Sequence, residues 1–163
     1  MNLTSVIPDP ITNMPIVVLR EVKGARLLPI WVGVFEAQAI QLQMENVETP
    51  RPMTHDLLKS VIAELGGRVE RVVVSELKDN TFYARLEIHS DTGRRTVDAR
   101  PSDAIALALR AGARIYVEEA VIQSARTVEA EQEDSAGREK MNIGRLQKWL
   151  EGLTDDELGK YKM

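Results

Sequence analysis

The sequence of 163 residues contains no cysteine. This absence excludes disulfide bonds, thiolate metal sites and cysteine nucleophiles, and it suits a reducing compartment. The N-terminal stretch MNLTSVIPDP lacks a basic segment followed by an apolar one, so the sequence predicts no secretory signal peptide. No apolar run approaches the ~20 residues that span a bilayer. We therefore expect a cytoplasmic protein that has no membrane partner.

Aromatic residues and excess positive charge are also scarce. The chain has two Trp, three Tyr and two Phe, and its formal net charge is −4. Nucleic-acid binding depends on basic residues for phosphate contacts and on aromatic rings for base stacking. The composition alone therefore disfavours a dedicated nucleic-acid binder. Any such role requires a local basic patch or metal ions that bridge the phosphates.

What the sequence does have is the composition of a globular domain, with 44% hydrophobic and 28% charged residues. The run RVERVVVSEL, the alternating TFYARLEIH and RRTVDAR predict a three-stranded antiparallel meander. Helical spacing predicts helices from Val34 to about Asn46 and from about Thr54 to Leu65. PSDAIALALRAG is apolar all round and predicts a buried helix, and ARIYVEEAVI predicts a strand. The predicted fold class is α+β, a mixed, largely antiparallel sheet with a central β-meander, packed by two to three helices.

The character of the chain changes after the predicted α+β domain, which covers residues 1–125. Residues 126–137 are acidic and predict a linker. Residues 138–163 predict an amphipathic helical tail, because apolar residues follow one another at 3-4-3 spacing. These residues are Ile143, Leu146, Leu150 and Leu153. The tail is expected to dock either on the domain or on a second chain.

Two predicted helices begin with a similar motif, RPMTHDLL from Arg51 and RPSDAIAL from Arg100. In both, Arg-Pro is followed within a few residues by a hydroxyl side chain and an aspartate. Helix capping explains much of this pattern. Proline is favoured in the first helical turn, Thr54 and Ser102 are suitable N-caps, and an aspartate in the first turn complements the helix dipole. Glu36 lies in the first turn of the helix that is predicted to begin at Val34, and there too a negative charge complements the helix dipole.

Three observations point beyond capping. Asp103 heads the most apolar helix, so its carboxylate must be paired, hydrogen-bonded or metal-bound. If RTVDAR is a strand, Asp98 and Arg100 point to the face opposite Val97. His55, one of only two histidines, lies at a helix N-terminus, where the dipole disfavours the imidazolium form.

Such groups suit phosphoryl hydrolysis, in which arginines hold phosphate oxygens, aspartates hold a divalent metal and a histidine moves the proton. The predicted cofactor is Mg²⁺ or Mn²⁺. The predicted catalytic residues are His55, Asp56 and Asp103, the predicted phosphate-binding residues are Arg51, Arg100 and Ser102, and the predicted metal ligands are Asp56, Asp98 and Asp103. The alternative is a non-catalytic regulatory or scaffold oligomer whose Arg/Asp clusters are ion pairs and helix caps. If the partner of Asp103 is an arginine, the motif has a structural role. If the partner is a metal or an open pocket, the motif is a functional site.

Four segments, LPIWVGVFEAQAI, RPMTHDLL, TFYARLEI and DARPSDAIALALR, in this order and spacing, closely resemble the bifunctional nuclease domain family of bacteria and plants. The resemblance covers about residues 1–125, and LQKWLEGLTDDEL is similar to a C-terminal extension of actinobacterial members. It implies an α+β fold, a homodimer or higher homo-oligomer, and hydrolysis of DNA and RNA. It carries over no catalytic set, so the residue roles above rest on the chemistry alone.

Overall fold

The computed structural model describes residues 1–125, Val128–Glu129 and Lys148. Most of the predicted linker and tail therefore lies outside the described residues. The described part of the chain confirms the α+β class, with four helices and two four-stranded sheets where the sequence predicted one. None of the described helices is long and apolar enough to cross a membrane.

The first sheet is antiparallel, in the order β1-β2-β3-β8. Its strands are β1 (Asn2–Pro8), β2 (Pro15–Arg20), β3 (Arg26–Trp31) and β8 (Val128–Glu129). Strand β8 lies within the stretch predicted as a linker and pairs only with Arg26 and Leu27. Pro29 pairs with Val18 of β2, and no strand of the described residues pairs with it on the other side, which is where a residue without an N–H fits a sheet.

The turn between β1 and β2 is organised by Asp9, whose side chain is buried. Its carboxylate accepts hydrogen bonds from the N–H groups of Ile11 (2.8 Å) and Thr12 (3.1 Å) and from Trp31 Nε1 (2.7 Å). An aspartate that bonds backbone N–H groups two and three residues ahead stabilises a tight turn. The bond to Trp31 ties this turn to the end of β3.

The second sheet contains the predicted meander, in the order β6-β5-β4-β7. Its strands are β4 (Gly67–Lys78), β5 (Thr81–Ser90), β6 (Gly93–Ala99) and β7 (Arg114–Val117). Asp79 and Asn80 join β4 to β5 with φ of 49° and 57°, the left-handed values that a two-residue hairpin turn requires. Strand β7 runs parallel to β4, because a helix connects it to the meander.

The helices are α1 (Val34–Met44), α2 (Thr54–Glu64), α3 (Pro101–Ala111) and α4 (Glu119–Ser124). The strand predicted over ARIYVEEAVI is wrong beyond Val117. There the Glu118 N–H still bonds Val74 O at 3.0 Å, but the Glu118 carbonyl accepts from the N–H groups of Val121 and Ile122. The chain therefore turns into α4, which buries those two apolar residues in the core.

Helix α3 lies at the centre of the molecule and packs against α1, α2, β4 and β5. The five residues from Ala104 to Ala108 are fully buried, which confirms the prediction of a helix that is apolar on all sides. Three of the five are alanines, so neighbouring elements approach the helix closely on several sides.

Helix α2 is attached differently, because none of its residues is buried. Ile62 packs against the core from a half-buried position. Leu57, Leu58, Val61 and the adjoining Leu65, which we call the α2 apolar face, are exposed. The predicted apolar stripe is therefore real, but the described residues leave most of it uncovered.

Candidate active site

The site begins where β6 runs into α3. Arg100 is the N-cap of α3, with extended backbone (φ −68°, ψ 145°), and Pro101 follows at the first helical position. Ser102, predicted as the N-cap, instead lies inside the first turn, where its Oγ is buried and has no hydrogen-bond partner among the described residues. The prediction failed because the proline ring sets the helical φ one residue before the serine.

Helix α2 starts at Thr54, as predicted, but Thr54 is not its N-cap. Its N-cap is Met53, and Thr54 is the first helical residue. The Met53 N–H donates to Asp56 Oδ2 at 2.9 Å, so the aspartate three residues on caps the helix in place of the threonine hydroxyl. One carboxylate oxygen of Asp56, Oδ2, is therefore hydrogen-bonded to the N-cap of its own helix.

The two helix starts meet through His55 and Asp103. His55 Nε2 lies 3.0 Å from Asp103 Oδ1, and the imidazole is only 12% exposed. Arg100 Nε donates to the other carboxylate oxygen, Asp103 Oδ2, at 2.8 Å. Burial alone would raise the pKa of Asp103, but hydrogen bonds from Arg100 and His55 outweigh it and hold that pKa below its ordinary value. Asp103 is therefore an ionised acceptor near neutral pH.

Helix α1 completes this group through Glu36. Arg100 Nη1 lies 2.9 Å from Glu36 Oε1, and the arginine side chain stays 53% exposed between the two carboxylates. Glu36 was interpreted as a dipole-complementing residue, and its contact with Arg100 was missed. The only signal in the sequence was its place in the first turn of a helix, which says nothing about a partner more than sixty residues away. We call Glu36, His55, Arg100 and Asp103 the His55 cluster.

Asp56 belongs to a second cluster, around Arg110. Arg110 Nε donates to Asp56 Oδ1 at 2.7 Å, and the arginine side chain is only 3% exposed. Its remaining nitrogens donate to two carbonyl oxygens, Ala106 O at 2.9 Å and Ala39 O at 3.0 Å. One guanidinium thus joins α1, α2 and α3, which we call the Arg110 clamp. Arg110 was not among the predicted site residues.

The pKa of Asp56 follows from this setting. Burial acts to raise it, whereas the Met53 N–H and the Arg110 guanidinium lower it, and the net effect is a pKa below the ordinary value. With both oxygens already engaged, Asp56 has the contacts of a structural residue.

Arg51 and Asp98 lie outside both clusters. Arg51 is exposed in the loop before α2, and no carboxylate of the described residues pairs with it. Asp98 is exposed on β6, where it pairs in register with Arg85 of β5. The structure thus brings together His55, Asp103 and Arg100, and it separates them from Asp98.

The predicted metal site does not fit these donors as they stand. Within the described residues, no group of three or more histidine, aspartate or glutamate side chains is arranged to hold an ion. Asp103 and Asp56 each have an arginine partner, which a metal would have to displace. Binding of Mg²⁺ or Mn²⁺ at Asp56, Asp98 and Asp103 stays a prediction.

The His55 cluster nevertheless has the parts of an acid–base site. If Nε2 carries the hydrogen that bonds Asp103, the other ring nitrogen, Nδ1, holds the lone pair that accepts a proton. No described residue hydrogen-bonds Nδ1. The half-exposed guanidinium of Arg100 provides a cationic donor beside it for an anionic ligand.

Comparisons with known proteins agree with the resemblance noted in the sequence. The bifunctional nuclease domain matches residues 17–130, a range that contains both clusters. An uncharacterized protein of Mycobacterium tuberculosis is 40% identical over 148 residues, which cover 89% of this chain and 88% of the relative. Bifunctional nuclease 2 of Oryza sativa is 31% identical over 114 residues, and Bifunctional nuclease 1 of Arabidopsis thaliana is 30% identical over 115. These matches cover 68% of this chain but only 35% of either plant protein.

Proposed function

The chain belongs to the bifunctional nuclease domain family, and from this premise we propose that it hydrolyses phosphodiester bonds of nucleic acid at the His55 cluster. One observation carries the proposal, the 3.0 Å contact that joins His55 of α2 to Asp103 of α3. A histidine oriented by a carboxylate is a recurrent device for moving protons in hydrolysis.

In the proposed reaction, Asp103 accepts a hydrogen bond from the Nε2–H of His55 and so holds the imidazole in one orientation. Nδ1 then removes a proton from a water molecule while the water oxygen attacks phosphorus. The bond from phosphorus to the leaving oxygen breaks, and that oxygen takes a proton from solvent. The low pKa of Asp103 supports this role, because an ionised carboxylate stabilises the imidazolium that forms.

Arginines hold the phosphate in the proposal. Arg100 is half exposed beside Asp103, and Arg51 is exposed near the start of α2. Guanidinium groups bind phosphate oxygens through paired donors, and the N–H groups of two helix starts add favourable dipoles. Ser102 was also predicted to bind phosphate, but its buried Oγ would first have to become exposed.

DNA and RNA are the substrates to test, because the family resemblance implies both. The proposed steps use no metal, since the donors do not form an ion site as they stand. Dependence on Mg²⁺ or Mn²⁺ is therefore a separate arm of the experiment.

A second candidate function is a non-catalytic regulatory or scaffold protein. The specific observation in its favour is the Arg110 clamp, together with the arginine partner of Asp103. Here the two helix starts would serve only to lock three helices together.

The test is cleavage of single-stranded DNA and of RNA by the purified full-length chain, with Mg²⁺, with Mn²⁺ and with a chelator. His55→Gln and Asp103→Asn are the active-site variants. His89→Gln is the matched control, because His89 is the other histidine and lies on β5. We expect both active-site variants to lose activity by about 10²- to 10⁴-fold, the usual contribution of a general base, and the control to keep it.

Equal cleavage by all variants would show a contaminant or a different site. A wild-type chain that cleaves neither substrate under any of the three conditions would favour the scaffold. Cleavage that a chelator abolishes, and that Asp98→Asn also reduces, would support the predicted metal.

A further inference from the structure

The α2 apolar face is a stripe of exposed apolar side chains on a described helix. Leu57 is 57% exposed, Leu58 40%, Val61 44% and Leu65 80%. They lie at spacings of three and four along the chain and therefore on one side of α2. No described element covers them. Contiguous apolar surface of this kind on a soluble protein marks a place where something binds.

The size of the face favours a small occupant. The four exposed fractions together equal just over two fully exposed side chains. A stable interface between two separate proteins buries about 800 Å² on each partner, from roughly 20 to 30 residues. One short stripe falls well below that, whereas a single amphipathic helix that is tethered to the same chain needs no more.

The sequence contains such a helix in the part of the chain beyond β8. Ile143, Leu146, Leu150 and Leu153 repeat at the spacing of one helical face, over about the same length as the α2 stripe. Lys148 is exposed. On a helical wheel it falls opposite the midpoint of these four residues.

The connection is long enough. Residues 130–142 separate the end of β8 from Ile143. About 13 residues span up to ~45 Å when extended, which exceeds the radius of a domain of this size. A tether of this length also gives the segment an effective concentration of about a millimolar at the face.

We propose that the α2 apolar face is the docking site of the chain's own C-terminal segment, residues 143–153. The proposal is independent of the nuclease proposal, since it concerns the opposite side of α2 from Asp56 and needs no catalysis.

The absence of native cysteine makes a cross-linking test clean. In the full-length chain, Leu58→Cys is combined with Leu150→Cys and oxidised at micromolar protein. The product is analysed on a non-reducing gel and by mass spectrometry after digestion. We expect an intramolecular disulfide in most molecules. The matched control combines Leu58→Cys with Lys148→Cys. We expect it to cross-link at least tenfold more slowly, because Lys148 falls on the opposite side of the helical wheel from Leu150 and its apolar neighbours.

Two results would overturn the proposal. Equal cross-linking of the Leu150 and Lys148 variants would show a mobile tether without a docked face. Efficient dimerisation of Leu58→Cys alone would show that a second copy covers the face.

Hydrogen exchange of otherwise native chains gives a second readout, without cysteine. We expect Leu150→Glu to speed amide exchange in α2 by about tenfold and to leave exchange in β5 unchanged. Unchanged exchange in α2 would contradict docking.

Discussion

Arg100 and Arg110 show how burial assigns different roles to one residue type. Both belong to α3, one at its N-cap and one in its last turn, and each pairs with an aspartate of a first helical turn. Arg110 is 3% exposed and spends its donors on a carboxylate and two carbonyls of the protein. Arg100 is half exposed, so a ligand can reach it. Arg110 is therefore a structural clamp, and Arg100 is accessible to a ligand.

The clamp predicts the effect of removing its anionic partner. Asp56→Asn leaves a buried guanidinium without its counter-charge, so we expect the free energy of unfolding to fall by about 1–3 kcal/mol. This range is below that of a fully buried pair, because the Asp56 side chain is one-third exposed. Denaturant titration followed by circular dichroism measures the change.

Asp98→Asn is the matched control for this substitution, since Asp98 is exposed on β6, and we expect a change within about 0.5 kcal/mol. Equal effects of the two substitutions would contradict a structural role for the clamp. Because Asp56→Asn lowers stability, a loss of activity in that variant would not identify a catalytic group.

At the scale of single residues, the sequence predicted part of the His55 cluster that the structure brings together. His55 and Asp103 were identified because a rare histidine and a carboxylate on an apolar helix both demand a partner. Glu36 and Arg110 were missed because their contacts join residues more than fifty positions apart, which neither spacing nor composition encodes. Ser102 and Thr54 were misplaced as caps because Pro101 and Asp56 take over those helix starts.

Among the elements, the sequence pattern predicted best where the apolar side chains are buried. The alternation of β5 and the all-apolar run of α3 each led to the correct element and the correct burial. The same reasoning found α2 but not its exposure, because a stripe shows only that a helix has an apolar side, not what covers it. Helix α4 was missed because a six-residue helix is too short to show a period.

The end of α3 offers a test at the level of one element. Gly112 is the C-cap, with φ of 63°, and its N–H bonds Ala108 O. A Cβ there would meet no atom within 4 Å, so only the backbone conformation opposes a larger residue. We therefore expect Gly112→Ala to lower the free energy of unfolding by about 1–2 kcal/mol.

Gly112→Asn is the informative comparison, because asparagine tolerates this conformation and already adopts it in this chain at Asn13, Asn46 and Asn80. We expect it to lose less than half as much stability as the alanine variant in thermal unfolding. A loss as large as that of alanine would point to steric contact.

At the scale of the whole molecule, carboxyls with a lowered pKa make the fold sensitive to acid. The pKa values of Asp9, Asp56 and Asp103 all lie below their ordinary value, although burial acts to raise each of them. The effect of burial is outweighed at Asp9 by a hydrogen bond from Trp31, at Asp56 by one from the Met53 N–H, and at Asp103 by one from Arg100. Each group binds its proton more weakly in the folded chain than in the unfolded one. Its stabilising contribution is therefore present above the unfolded pKa of about 3.9, and it is lost as pH falls through the folded value.

We expect these groups to leave the free energy of unfolding nearly constant between pH 5 and 7 and to lower it steeply below about pH 4. Urea unfolding at a series of pH values, followed by tryptophan fluorescence, measures this dependence. Asp9→Asn should reduce the slope below pH 4, because it removes one of the titrating groups with a lowered pKa. An unchanged slope in that variant would show that Asp9 does not contribute.

Helix α2 supplies His55 to the cluster and yet has no buried residue of its own. Segments with little buried apolar surface open locally with a lower free energy than the core around them. The 3.0 Å contact between His55 and Asp103 therefore persists only while α2 stays closed, whereas Asp103 remains fixed on the most buried helix. The proposed catalytic pair thus joins a helix without buried residues to the most buried helix, so the proposal implies that the fraction of molecules able to react equals the fraction in which α2 is closed.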